Sequence, residues 1–388
     1  MARGLFVAFV LSFGPTVSNS FARFAYALIL PAMRDDLQWS YSQAGWINTS
    51  NAIGYLAGAV LTRLLVVQLG NRALFCGGMF VTAAALVGTG MTADLTLLAA
   101  MRVLAGLGGA AVFICGGALS ANIFPDRPQL ATTTISIYFA GGGIGLMLSG
   151  VLVPPALAQL GDGSWPIVWR AMGYAGFAMA LGTLWAATRI VEPGAAPGGA
   201  AWRLRPFLPE LLAYAAFALG YIGYMTFVIA WMRDNGASTA TVVLVWSALG
   251  LATLLAPAVW RKPFDRWSGG RPMAAVMLVL AAGALVPLVT TGALAMTASA
   301  VLFGLAMFSV PSAITSLLKR SLPKAAWGSA MATFTSVFAA GQIAGPMATG
   351  WLADLSGSLR PGLTASVIVL VLGALLAFTQ PALASGSR

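Results

Sequence analysis

Two arginines stand where an arginine is costly. Arg23 is the only charged residue between Arg3 and Arg34, and Arg102 lies inside the apolar run that follows Asp94. A guanidinium is a planar fork of donors that grips a carboxylate or similar oxyanion through two bonds at once. Around Arg23, the residues Thr16, Asn19, Ser20 and Tyr26 recur at three- and four-residue spacing, the pattern of one polar face on a helix. A second stripe, Asn48, Asn51, Tyr55 and Gly58, follows in the next apolar run. Amides so placed either hydrogen-bond a polar ligand or join helices. Tyr138, Tyr221, Tyr224, Trp246 and Gln342 are further side chains able to line a cavity. Together these residues suit binding of an anion. They do not suit catalysis: there is no histidine, Cys76 and Cys115 fall within apolar runs, and the 10 carboxylates keep to the edges of such runs. No metal site and no cofactor are therefore expected.

The elements that hold these residues are set by composition. The chain has 388 residues, 59% hydrophobic and 8% charged, with a mean hydropathy of +0.87. A soluble domain is about a quarter charged, so a soluble enzyme is excluded. The net charge of +11 is spread thinly with no basic tract, which excludes a nucleic-acid-binding or disordered chain. Spans of roughly 20 apolar residues are predicted near 5–33, 43–66, 73–92, 95–121, 130–157 and 167–188, then near 207–232, 239–260, 272–292, 294–317, 328–352 and 362–382. The first is expected to be a retained helix, since it is too long for a cleaved signal. The connection RIVEPGAAPGGAAWRLRP, residues 189–206, reads as a linker between an N-terminal bundle, 1–188, and a C-terminal bundle, 207–388.

Lysine and arginine bias sets the expected orientation. With the N-terminus inside, 15 of the 21 cations fall on the cytoplasmic side, four fall outside, and only Arg23 and Arg102 lie within spans. Both termini are thus expected in the cytoplasm. Arg23 is eleven residues from Arg34 and Arg102 eight from Asp94, depths of roughly 16 and 12 Å in a core about 30 Å thick. An Arg there costs at least ~2.5–3.5 kcal/mol on insertion scales, so it should face a partner or a watery cavity. No carboxylate is placed comparably deep.

The halves repeat. An offset of 200 lays Thr133, Ser136, Gly141, Gly145 and Gly150 on Thr333, Ser336, Gly341, Gly345 and Gly350. An offset of 199 lays Met33–Asp36 on Met232–Asn235 and Gly70 with Arg72 on Gly269 with Arg271; an offset of 198 lays VLAGL at Val103 on VLFGL at Val301. A duplicated membrane fold of this kind is expected to hold its substrate near the midplane, where the repeats meet.

With these features the chain resembles the major facilitator superfamily of secondary transporters over essentially its whole length. Gly58, Arg63, Gly70 and Arg72 keep part of that superfamily's loop signature after the second helix, with Thr62 where Asp is usual. Asp265, Arg266, Gly270 and Arg271 keep the counterpart after the eighth, and Arg102, Gly106, Gly108 and Gly109 match its fourth-helix motif. The stretches FARFAYALILPAMRDD and AGWINTSNAIGYLAGA are similar to the YbfB/YjiJ-like branch. The resemblance implies an all-α membrane fold of twelve transmembrane helices in two pseudo-symmetric six-helix bundles, with helices 1 and 4 lining a central cavity. It also implies that the two charged loops act as gates pairing across the halves. Gly345-Pro346 appears in helix 11, but Leu146 follows Gly145 in helix 5, so the Gly-Pro pair of the drug/proton exchangers is missing there.

The expectation is a monomeric, multi-pass bacterial inner-membrane transporter that moves a small organic anion by alternating access, through proton-linked co-transport or exchange. Arg23 and Arg102 would hold the charge, and Tyr26, Asn48, Asn51 and Tyr55 would supply hydrogen bonds. A carbonyl-bonding, purely structural Arg102 is the competing reading of that residue. Rival functions are a proton-coupled exporter of drugs or lipophilic metabolites, and a non-transporting sensor or assembly protein.

Overall fold

The computed structural model describes residues 1–193 and 201–383, and no strand occurs among them. In a bilayer every backbone N–H and C=O needs an internal partner, which a helix supplies from its own turn. The chain accordingly runs in helices: α1 (Ala2–Leu37), α2 (41–69), α3 (71–89), α4 (Leu95–Ala121), α5 (Ala131–Leu160) and α6 (Trp165–Ala187). Then follow α7 (Leu208–Asp234), α8 (Thr239–Arg266), α9 (Arg271–Val289), α10 (Ala293–Ser321), α11 (Lys324–Ser356) and α12 (Leu359–Phe378). The twelve expected spans are all present, mostly a few residues longer at their polar ends.

Local sequence explains the joints. Ser40 opens α2 with a capping box, its Oγ accepting from the Gln43 N–H while the Gln43 side chain accepts from the Ser40 N–H. Asp94 caps α4 by accepting from the Leu97 N–H at 2.8 Å. Helices α2 and α3 are joined directly at Gly70, where the chain turns back on itself with a φ of +78° that a side chain would resist. Gly269, 199 positions later, has φ +62° at the corresponding joint before α9.

The chain divides into two compact units, Met1–Ala195 and Ala196–Arg388. The middle of the expected linker, 194–200, lies outside the described residues. In the first unit, α4 packs along α2 and α3, α6 against α3, and α5 against α1. In the second, α7 packs against α11 and α12, α8 against α10, and α9 against α10 and α12. Glycines set the closest approaches. A Cβ on Gly106 of α4 would stand 2.1 Å from the Asn51 carbonyl oxygen of α2, and one on Gly141 of α5 would stand 1.8 Å from that of Ser12 in α1.

Candidate substrate site

Helix α1 is not a regular α-helix where it carries Arg23. Residues Thr16–Phe24 form nine residues of π-helix, closed by the Ala25 N–H donating to Ser20 O at 2.7 Å. Pro15 offers no N–H to the preceding turn, and the hydroxyls that follow find acceptors on another helix. Thr16 Oγ1 donates to Gly141 O at 2.8 Å and Ser20 Oγ to Gly142 O at 2.6 Å, both on α5. Such wide turns are frequent at functional sites.

The wide turn changes which residues share a face. The expected stripe of Thr16, Asn19, Ser20, Arg23 and Tyr26 assumed 3.6 residues per turn and is corrected here. Thr16 and Ser20 face α5, and Tyr26 is fully buried with its hydroxyl donating to Ala44 O of α2 at 2.7 Å. Arg23 remains. It is 8% exposed, and its Nη2 is buried without a hydrogen-bond acceptor. Its guanidinium lies 5.5 Å from the centre of the Tyr55 ring and 5.9 Å from that of Phe24. The Ser18 hydroxyl, in the same π segment, is likewise buried without a partner.

Arg102 on α4 is 0% exposed, and none of Nε, Nη1 and Nη2 has an acceptor. The guanidinium is held between rings instead, 5.4 Å from the centre of Tyr26 and 5.0 Å from that of Trp169 on α6. The Trp169 N–H is occupied by Met33 Sδ at 3.3 Å. The reading of Arg102 as a bonder of backbone carbonyls is therefore corrected. Asn51 reaches the same place from α2, its amide donating to Arg102 O at 3.2 Å. Asn51 and Tyr55 are one turn apart on α2, so one turn touches the backbone of one arginine and the guanidinium of the other. The charged side chains buried among the described residues are Arg23, Arg102 and Glu210. None in the first unit is acidic.

Other expected site residues divide between packing and the second unit. Asn48 is buried on α2. Tyr138 of α5 is fully buried and donates to Val112 O of α4 at 2.7 Å, which makes it a brace between helices. Tyr221 accepts a bond from the Gln342 amide at 2.5 Å, while Gln342 Oε1 is buried without a partner. Their surroundings are a plate of near-parallel rings, Phe217 lying 4.7 Å and Phe338 5.9 Å from Tyr221. Tyr224 stacks on Phe303 at 4.7 Å and bonds Ser299 Oγ at 3.2 Å. Ser299 gives its own proton to Gly283 O, so Tyr224 is the donor in that pair. Trp246 is fully buried on α8.

The profile of the family described as "Uncharacterised MFS-type transporter YbfB" matches residues 16–378. The chain belongs to this family. It is a secondary transporter of the major facilitator superfamily, and the family is one of transporters rather than enzymes. Among solved structures it is similar to the inward-facing, unoccupied form of a bacterial homologue of the human lysosomal transporter Spinster, with 16% identity and a TM-score of 0.73 over 97% of this chain and 96% of that one. It is also similar to a mutant of the nucleoside transporter NupG, with 12% identity and a TM-score of 0.75 over 97% and 98%. Comparison with curated protein sequences gave no match. Identities this low bear on the fold alone.

In this transporter the loop signature of the first half acts within its own unit. Arg72 donates from Nε to Ala187 O at 3.0 Å and from Nη2 to Ile190 O at 2.6 Å, capping the end of α6. Glu192 returns the favour at the start of α3, accepting from the Asn71 and Arg72 N–H groups. Arg72 thus has a local role at the end of α6, beside the gate role that the resemblance implies. Arg63 is exposed, and Gly58 packs on α4, where a Cβ would lie 2.5 Å from Leu107 O. In the second unit Asp265, Arg266 and Arg271 are exposed, and Gly270 donates its N–H to Gln380 O at 3.1 Å.

Four residues of consequence were not legible as such. Glu192 was hidden in a stretch read as linker, and Trp169 was one of 40 aromatics. Arg320, which donates to Trp267 O at 2.9 Å and to Phe264 O, was counted only towards orientation. Glu210 sits in the first turn of α7, at an edge in sequence, yet is 1% exposed with Oε2 unpartnered. Depth along the chain and burial by neighbouring helices are different quantities, and only the first can be read by counting residues.

Proposed function

We propose that this transporter carries a small organic anion, with Arg23 as its charged anchor. One observation carries the reading. Arg23 lies in a π-helical segment with a buried, acceptor-free Nη2, in a unit whose buried described residues include no carboxylate. A guanidinium in that setting gains most from an oxyanion that brings its own charge. The Tyr55 ring alongside holds the cation in place without neutralising it. Asn51, one turn before Tyr55 on α2, is the neighbouring amide, although it already spends a donor on α4. The bland alternative, a water-solvated Arg23 with no substrate role, predicts that its removal leaves transport intact. The proposed setting is a bacterial inner membrane, with both termini cytoplasmic.

The test is uptake and thermal stabilisation by carboxylates, sulfonates and phosphonates in purified, reconstituted protein, with Arg23→Gln as the comparison. The expected result is stabilisation by at least one anion class, lost in Arg23→Gln. Full uptake by Arg23→Gln, or stabilisation by lipophilic cations in place of anions, refutes the proposal and favours the exporter.

A further inference from the structure

The anchor does not stand alone. Arg102 adds a second buried charge to the first unit, also without a hydrogen-bonded acidic partner, and both contact the same short pieces of α1 and α2. Arg23 rests on Tyr55, whose turn-mate Asn51 holds the Arg102 backbone. Tyr26, three residues beyond Arg23, lies against the Arg102 guanidinium. A monoanion at Arg23 would leave one of these charges uncompensated in a medium that screens poorly. We infer that the site is built for a dianion, a dicarboxylate or a phosphonate-like group, with Arg23 in contact and Arg102 acting as a positioning charge behind the Tyr26 ring.

The division of labour follows from exposure. Arg23 retains some accessible surface and can meet a ligand, whereas Arg102 is wholly enclosed by Tyr26, Trp169 and α2. Arg102 therefore acts through its field, which across a few ångströms of protein distinguishes one negative charge from two. Its three bare nitrogens mean that no hydrogen-bonded carboxylate already cancels that field. The fork of Arg23 sets where the first oxyanion sits, and the field of Arg102 rewards a second.

This inference rests on the anion reading of Arg23, and a matched panel separates the two. Full-length protein in detergent is titrated with butyrate against succinate and benzoate against phthalate, each pair alike in carbon skeleton but different in charge. Half-saturating concentrations are read from thermal shift. Wild type should prefer the dianion of at least one pair by about tenfold, the size of one added charge interaction. Arg102→Met should bring that ratio close to one while still binding anions, Arg102→Lys should restore it, and Arg23→Gln should lose both members. A purely structural Arg102 would change stability without moving the ratio. Equal binding of monoanions and dianions by wild type overturns the dianion inference and leaves the anion reading standing. If neither this panel nor the sulfonates and phosphonates shift the wild type, both fall.

Discussion

Replacing Arg102 by methionine should make the protein more stable. Three guanidinium nitrogens are buried without acceptors, and leaving a buried polar group unsatisfied costs about 1–3 kcal/mol each, more when charged. Two ring contacts, at 5.4 and 5.0 Å, return about 0.5–2 kcal/mol apiece. The costs exceed the returns, so a side chain of similar length with no polar nitrogen should gain on the order of 2 kcal/mol, within the range seen when buried charges give way to apolar groups. Methionine can thread the same gap between Tyr26 and Trp169, and sulfur against a ring is itself favourable. At roughly 2–4 °C per kcal/mol for units of this size, the melting temperature should rise by about 4–8 °C. The assay is thermal unfolding of purified protein followed by tryptophan fluorescence, with chemical denaturation as a check. A strut reading of Arg102 predicts the reverse, a loss of about 3–5 kcal/mol as for a broken buried pair. An unchanged or lower melting temperature would refute the claim that this charge is held at a cost.

Other perturbations test other joints. Gly141→Ala sets a Cβ 1.8 Å from Ser12 O, and should cost about 1–3 kcal/mol or prevent folding, whereas Gly77→Ala meets nothing within 4 Å and should be silent in the same thermal assay. Arg72→Ala removes both caps from the end of α6, so about 1–3 kcal/mol of stability should go, with faster proteolysis near residues 189–193. Glu210 is buried with Oε2 unpartnered, so Glu210→Gln should leave the melting temperature unchanged or raise it in the same thermal assay. A fall in stability of more than about 1 kcal/mol would refute the reading of this carboxyl as buried at a cost.

What the sequence made legible follows from where each signal resides. Span count, the α2–α3 joint and the position of both arginines depend on local composition and spacing, which survive folding unchanged. The polar face of α1 was misread because its spacing was converted with a constant of 3.6 residues per turn, and the π segment has another. Arg102 was found by type and depth, but its cage needed Trp169, which comes from α6 at 67 positions' remove. Arg72 was assigned to a gate by resemblance. Its local acceptors are carbonyls of Ala187 and Ile190, and carbonyls have no sequence signature. What could be anticipated was local in sequence; partners brought in by distant helices, whether rings or carbonyls, could not.

The internal repeat gives an independent reason to place function on α1 and α4. Gly106 of α4 approaches Asn51 O, and Gly304 of α10 approaches Leu249 O, so these contacts match at an offset of 198. Gly141 approaches Ser12 O and Gly341 approaches Ala215 O, which puts α1 and α7 at an offset of 203. At the far end of the same two helices, Met33 answers Met232 at an offset of 199. Over the interval between, α1 therefore holds four more residues than α7. A π turn takes up more residues per turn than an α turn, so Thr16–Phe24 accounts for part of that excess. The counterpart of Arg23 falls within residues 222–226, IGYMT, and that of Arg102 on Ala300, none of them charged. One half thus builds the same packing without either cation and without the extra residues. The fold does not require what α1 and α4 add, which is the reason to look for the role of Arg23 and Arg102 in function rather than in packing.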